Sequence, residues 1–171
     1  MGRKLVLILC IGLAVARPLA AETLNFCWTG ANGYTMTGRM TLSDAAMRKP
    51  IVTQGDVSAF KIAGYRNGAL LGTWNAQDAG PETTWHLRFD PATMTFPTGG
   101  SFTGPRSQGW NANGEVTDCG LGGFGFNSGN YGQDICVNGA YISASTIDPA
   151  TPFVATRAPV TPECDSVAPI S

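Results

Sequence analysis

Hydrophobic and polar residues alternate with a period of two along much of this chain. In residues 33–42 the large apolar side chains share one parity, namely Tyr34, Met36, Met40 and Leu42. The other parity carries threonines and Arg39. This alternation is typical of a strand with one buried and one solvated face. The same pattern in residues 24–28 predicts that Cys27 lies on the outer face of its strand.

Further segments repeat this alternation between turn residues. Residues 56–65 place Phe60 and Ile62 on one face, and residues 68–75 place Leu70 and Trp74 on one face with Leu71 on the other. The later candidates are residues 108–112, 123–127, 134–137, 140–145 and 153–156. Roughly ten short strands predict an all-β, antiparallel β-sandwich, either jelly-roll-like or barrel-like.

Residues 84–96 predict a hairpin. In its first strand, alternation places the apolar residues Trp85, Leu87 and Phe89 on the inner face. His86 and Arg88 are then expected on the outer face. Residues 90–93 read Asp-Pro-Ala-Thr, the pattern of a type I turn, and residues 94–96 return as a strand. Helix is expected only in residues 43–48, with Ser43 as the N-cap.

The first 21 residues have the pattern of a secretory signal peptide. Arg3 and Lys4 precede an apolar run over residues 5–16, and small residues follow at 20 and 21. The run is too short to span a membrane, which takes about 20 residues in a helix. We expect cleavage after Ala21, with Ala16 as an alternative, and therefore a secreted or periplasmic protein without a membrane span.

Composition narrows the function classes. Three of the eleven basic residues lie in the leader and all twelve acidic residues follow it, which leaves the mature chain with a net charge of −4. Such a chain lacks the basic stripe that nucleic acids require, so no nucleic-acid partner is expected. We assign residues 22–148 to the β-sandwich domain and residues 149–171 to a proline-rich tail.

Four cysteines remain after removal of the leader: Cys27, Cys119, Cys136 and Cys164. Their spacing does not match that of metal-binding cysteines, and an even number in an exported chain predicts two disulfides. Three pairings are possible. We favour Cys119–Cys136, which closes a glycine-rich loop, and Cys27–Cys164, which ties the tail to the first strand. No metal or cofactor is expected.

Two groups of polar residues are candidates for catalysis. His86 is the only histidine, and on the outer face of a strand it is expected to be a solvated side chain without a nucleophile beside it. Asp118 and Asp134 flank the glycine-rich loop, and a Cys119–Cys136 bond would bring them together. Paired carboxylates serve glycoside hydrolysis or calcium binding, although such residues are more often turn formers.

Trp110 is the candidate for ligand binding. The residues around it do not alternate between apolar and polar, and the amide side chains of Gln108 and Asn111 lie close to it in the sequence. An exposed indole beside amides would suit a carbohydrate, whereas a tryptophan closing the end of the sandwich would be structural.

Two segments resemble a known group of proteins. Residues 56–64 read D-V-S-A-F-K-I-A-G and residues 85–91 read W-H-L-R-F-D-P. Over residues 33–97 the chain resembles small exported bacterial proteins of unassigned function that often carry PEP-CTERM sorting tails. The resemblance implies a β-sandwich and no catalytic residue. This chain lacks the Pro-Glu-Pro motif, apolar helix and basic end, so no anchoring is implied.

The sequence therefore predicts an exported, non-enzymatic β-sandwich module of the cell envelope or secretome. Its possible partner is an extracellular glycan or another envelope component. The alternatives are a carbohydrate-binding module that uses Trp110 and a glycan hydrolase that uses Asp118 and Asp134.

Overall fold

The computed structural model describes residues 21–114, 119–120 and 123–165. The leader, apart from Ala21, lies outside these residues. Thirteen strands are found in the described part: β1 Ala21–Thr29, β2 Tyr34–Ser43, β3 Val52–Thr53, β4 Val57–Arg66, β5 Ala69–Asn75, β6 Trp85–His86, β7 Arg88–Phe89, β8 Thr95–Phe96, β9 Gln108–Trp110, β10 Phe124–Ser128, β11 Gln133–Val137, β12 Ala140–Tyr141 and β13 Phe153–Thr156.

The strands form two large antiparallel sheets and one small one. The first sheet has the order β5-β4-β2-β1-β13-β8 and the second has the order β12-β11-β10-β9-β6. Strands β3 and β7 form a separate pair. Within the described residues, four 3₁₀ turns connect these elements, at Ala46–Arg48, Gln54–Asp56, Ala76–Asp78 and Ser143–Ser145. The predicted all-β, antiparallel fold is confirmed.

Aromatic side chains fill the space between the two large sheets. Trp110 of the second sheet contacts Phe26 and Phe60 of the first, with ring centroids 5.4 and 4.8 Å apart. Trp28 contacts Phe126 across the same gap at 5.4 Å. These distances are those of tilted and edge-to-face ring pairs, which add stability beyond the area they bury. The two sheets are therefore the layers of a sandwich with an aromatic interior.

The alternation predicted for β2 is confirmed, since all four of its large apolar residues are buried. Gly38 interrupts their series at a position that faces inward. Its partner in β1 is Phe26, and a Cβ at Gly38 would overlap the Phe26 ring. Glycine at this position therefore makes room for a ring of the core.

The face predicted for Leu70 is wrong. Trp74 is buried as expected, but Leu70 is 61% exposed and Leu71 is half-buried. The register between β4 and β5 shifts so that Gly64 pairs with Gly72 while Tyr65 pairs with Leu70. Leu71 is therefore the extra residue of a β-bulge, which turns Leu70 to the outer face.

Of the predicted hairpin of residues 84–96, the turn is present, but its strands diverge into different sheets: β6 pairs with β9, β7 with β3 and β8 with β13. Asp90 and Thr95 exchange two backbone hydrogen bonds, and the Asp90 carboxylate accepts hydrogen bonds from the N–H groups of Ala92 and Thr93. The short helical segment predicted at residues 43–48 is a 3₁₀ turn, in which Ser43 Oγ accepts a hydrogen bond from the N–H of Ala46.

The structure contains both favoured disulfides. Cys27 and Cys164 are joined across 137 residues, with a Cα–Cα distance of 5.3 Å. Cys119 and Cys136 are joined across 17 residues, with a Cα–Cα distance of 5.5 Å. Disulfides of this kind form and persist in oxidising surroundings, which fits an extracellular or periplasmic protein.

The C-terminal segment contributes to the sheet as well as being tied to it. Strand β13 lies within the range assigned to the tail, and it pairs with β1 on one side and β8 on the other. Beyond β13, the segment is held by Cys164 and by Thr35, whose hydroxyl donates to the carbonyl of Pro162 at 2.6 Å. The folded sheet therefore extends past residue 148.

Replacing Trp110 tests the role of the aromatic interior. We expect Trp110→Ala to lower the free energy of unfolding by about 3–5 kcal/mol, because it leaves a large cavity among rings that cannot close over it. The measurement is urea unfolding with the disulfides intact. Tyr131→Ala is the matched control, since that ring is 93% exposed. Equal effects of the two substitutions would contradict this packing.

Candidate functional site

A cleft of about 340 Å³ lies beside the hairpin formed by β10 and β11. It is lined by small and polar residues together with three aromatic rings: Phe102, Asn113, Gly114, Asn127, Gly129, Asn130, Tyr131, Gly132, Asp134 and Tyr141. Pockets of this kind, in which a few polar groups converge beside rings, are the usual form of a ligand site.

The strand register explains why polar residues of the hairpin face this cleft. Phe126 and Ile135 are direct partners and are both buried in the core. Their neighbours Asn127 and Asp134 are the next pair, so they lie on the opposite face of the sheet. The sequence pattern thus brings an amide and a carboxylate together on the outer face.

Asp134 is held in a hydrogen-bonded arrangement although it is only 5% exposed. The hydroxyl of Tyr141 donates to Asp134 Oδ2 at 3.2 Å, and the Thr146 hydroxyl lies 3.0 Å from the Tyr141 oxygen. The side chain of Asn127 also hydrogen-bonds the carboxylate. The carboxyl group is therefore fixed in position by its neighbours.

Burial changes the acidity of this group. Loss of solvation raises the pKa of Asp134 to about 6, against the opposing effect of the hydrogen bonds from Tyr141 and Asn127. The pKa of the Tyr141 hydroxyl is also raised, first by burial. Asp134 thus changes charge near neutral pH, where it either accepts hydrogen bonds as an anion or donates one as an acid.

Asn127 also offers an unused acceptor. Its Oδ1 atom is buried and has no hydrogen-bond partner. An unsatisfied buried acceptor costs about 1–3 kcal/mol, and a ligand hydroxyl or amide reaching it would recover that energy. Because Asn127 lines the cleft, this acceptor adds to its capacity to bind a polar ligand.

Tyr131 stands at the tip of the hairpin and is 93% exposed. The turn that carries it is closed by a hydrogen bond of 3.0 Å from the N–H of Gly129 to the carbonyl of Gly132. Sequence reasoning missed this residue. The available signal was an aromatic side chain in a turn of glycine and asparagine, where no strand face can bury it.

The predicted exposed cluster at Trp110 is wrong. Trp110, Gln108 and Asn111 are all 0% exposed. Gln108 accepts a hydrogen bond from the N–H of Arg88 and donates to the carbonyl of Arg88, both at 3.0 Å, so its amide bonds like the backbone of a neighbouring strand. The amide of Asn111 donates to the carbonyl of Phe124 at 2.7 Å. These polar side chains are structural, and the indole cannot stack on a ligand.

The predicted acid pair is only partly described. Asp134 lies in the cleft, two residues from Cys136, whose bond to Cys119 is present. Asp118 lies outside the described residues, so the separation of the two carboxylates is not part of the described geometry.

The prediction of a solvated His86 is also wrong, since this side chain is 7% exposed. Its Nε2 atom lies 3.0 Å from the carbonyl of Gly104 and 3.2 Å from the hydroxyl of Ser107. A carbonyl requires a donor, so Nε2 carries the proton and cannot take one from Ser107. Burial lowers the pKa of His86, which favours this neutral form. His86 therefore connects β6 to residues 104–107.

Among the described residues, no group of three or more histidine, cysteine, aspartate or glutamate side chains is placed to hold a metal ion. In the same part of the chain, no helix has the length and apolar character needed to cross a membrane.

The raised pKa of Asp134 predicts how stability depends on pH. A carboxyl group with a pKa near 6 when folded and 3.8 when unfolded favours the folded state below pH 3.8, and this contribution is lost as the pH rises through 6. Relative to Asp134→Asn, the wild-type free energy of unfolding should therefore fall by about 2 kcal/mol between pH 4 and pH 7. Thermal or urea unfolding across this range measures the difference.

Asp56→Asn is the matched control for this experiment. A hydrogen bond from Lys49 and others from Thr53 lower the pKa of Asp56, so its contribution to stability should be lost as the pH falls toward acid. Parallel pH profiles for the wild type and Asp134→Asn would contradict the burial of Asp134.

Comparison with known proteins gives no relative for this chain. No protein-family model, no curated protein and no solved structure matches it. The resemblance to PEP-CTERM-associated proteins stays a prediction.

Proposed function

We propose that this protein is an exported, non-enzymatic binding module whose ligand is a neutral saccharide held in the Asp134 cleft. The observation that supports this proposal is the placement of an exposed ring, Tyr131, beside a buried and hydrogen-bonded carboxyl group. The exposed ring offers a flat apolar surface for a pyranose face, and the polar groups behind it offer partners for hydroxyls.

The chemistry of the lining favours a polyol over a charged or apolar ligand. Asparagine side chains dominate its polar groups, and amides both donate to and accept from hydroxyl groups. The acid in the described lining is Asp134, which repels anions when ionised. Apolar contact is limited to the rings, so a wholly hydrophobic ligand would leave the Oδ1 acceptor of Asn127 without a partner.

The cleft should select its ligand by direct contact with both the ring and the carboxyl group. We expect Tyr131→Ala and Asp134→Asn each to weaken saccharide binding by about tenfold, since each removes contacts of about 1.4 kcal/mol or more. A glycan array identifies the ligand, and calorimetry with the protein in its oxidised form measures the affinities.

Leu70→Ala is the matched control, because it removes an exposed apolar side chain on the other sheet. Its affinity should equal that of the wild type. The proposal fails if no saccharide binds, or if binding is unchanged in both cleft variants.

A glycan hydrolase is the second candidate, and the raised pKa of Asp134 favours it. A carboxyl group with a pKa of about 6 suits a general acid, which in a glycosidase works with a second carboxylate. Release of reducing ends from a bound glycan, abolished by Asp134→Asn, would support this candidate over the binding module. Binding without release supports the module.

A further inference from the structure

Two basic side chains face each other on the outer surface of the first sheet. Arg39 of β2 and Lys61 of β4 are direct partners in the strand register, and both are exposed. Like charges placed directly opposite each other destabilise a sheet. Neither residue is in an ion pair within the described part of the chain, where the pairs are Lys49 with Asp56 and Arg157 with Glu22.

Amide side chains continue this pair into a row across four strands. Asn25 of β1 is the partner of Arg39, and Asn75 of β5 is the partner of Lys61. Met40, Phe60 and Ile62, which neighbour the two cations along their strands, are buried in the core. With strands about 4.8 Å apart, the row Asn25–Arg39–Lys61–Asn75 is about 14 Å long.

The row lies between two shallow depressions. One has a volume of about 250 Å³ and is bounded by Val160 of the C-terminal segment, which the Cys27–Cys164 disulfide holds against this sheet. The other, of about 230 Å³, is bounded by Gln77 of the Ala76–Asp78 turn. Arg39 and Lys61 line both depressions. An acidic side chain, Asp78, lines a third depression together with Lys61 but forms no ion pair with it within 4 Å.

We propose that this row, Asn25–Arg39–Lys61–Asn75, is a binding site for an extended acidic polysaccharide. A carboxylate or sulfate group of the polymer lies between Arg39 and Lys61 and accepts hydrogen bonds from both, while Asn25 and Asn75 bind hydroxyl groups of the flanking sugars. The anion relieves the repulsion between the two cations, which explains why a like-charged pair occurs at facing positions.

The lining of the row favours a polysaccharide over a nucleic acid. Beside the small apolar side chains of Ala59, Ala63 and Val160, its lining carries the hydroxyl groups of Thr37 and Thr41, which suit sugars. The strongly exposed apolar residues Leu70 and Val154 do not line it. A nucleic acid would require a wider basic surface than two cations, in a chain whose acidic residues outnumber its basic ones.

This site does not rest on the proposed function of the Asp134 cleft, which is on the other sheet. Binding is measured by calorimetry with polygalacturonate and dextran sulfate as carboxylate and sulfate probes and with neutral dextran as the uncharged probe. We expect the wild type to bind at least one acidic polymer at low salt and to lose binding in about 0.5 M salt, since exposed charges are screened.

Arg39→Gln and Lys61→Gln should each weaken that binding by about tenfold, whereas Arg48→Gln, which removes an exposed cation outside the row, should not. Asp134→Asn should also leave it unchanged. Thermal unfolding verifies that Lys61→Gln is folded. Because this substitution relieves the repulsion between the two cations, its unfolding midpoint should be no lower than that of the wild type.

Four results would overturn the proposal: no binding to either acidic polymer, equal binding of neutral dextran, wild-type affinity in both row variants, or an equal loss in Arg48→Gln. If Asp134→Asn loses binding of the acidic polymer while Arg39→Gln and Lys61→Gln keep it, the polymer binds in the Asp134 cleft instead.

Discussion

The packing of aromatic rings between the two sheets determines which face of each long strand its polar residues occupy. Trp110 occupies the centre of that interior, with rings of both sheets within about 5 Å of its own. Because side chains alternate along each strand, filling one face with rings assigns the intervening polar residues to the other. The Asp134 cleft and the Arg39–Lys61 pair are accordingly on the outer faces of opposite sheets.

Buried glutamine side chains hydrogen-bond backbone groups at the ends of the strands, where no neighbouring strand pairs with them. Gln108 bonds to both backbone groups of Arg88, and Gln133 accepts from the indole N–H of Trp28 at 2.9 Å while donating to the carbonyl of Thr151 at 2.6 Å. An amide side chain carries the same donor and acceptor as a peptide unit, so it satisfies backbone groups in loops that no strand reaches. This arrangement ties the chain after residue 148 to the interior, in addition to the disulfide at Cys164.

The sequence was sufficient for features that depend on local alternation. The strands around Met36 and Phe60 and the outward position of Cys27 follow from parity. Export predicts two disulfides, and the pairing favoured among the three possible ones is confirmed. The burial of His86 and Trp110 depends instead on residues 102–112, which contact partners far away in the chain and show no periodicity. Polar neighbours there indicated exposure, although they are buried and hydrogen-bonded. For the site, the sequence identified Asp134 but not Tyr131, because the cleft joins a turn to a strand face that only the register defines.

The central claim is that the fold buries one carboxyl group at the base of an open cleft and so prepares it to bind. Carbon-13 NMR titration of the Asp134 carboxyl carbon in the oxidised protein tests this claim most directly. The account predicts a midpoint near pH 6, well above the ordinary aspartate value of 3.8. A midpoint at or below 4 would mean that the group is solvated, and it would contradict the site described here.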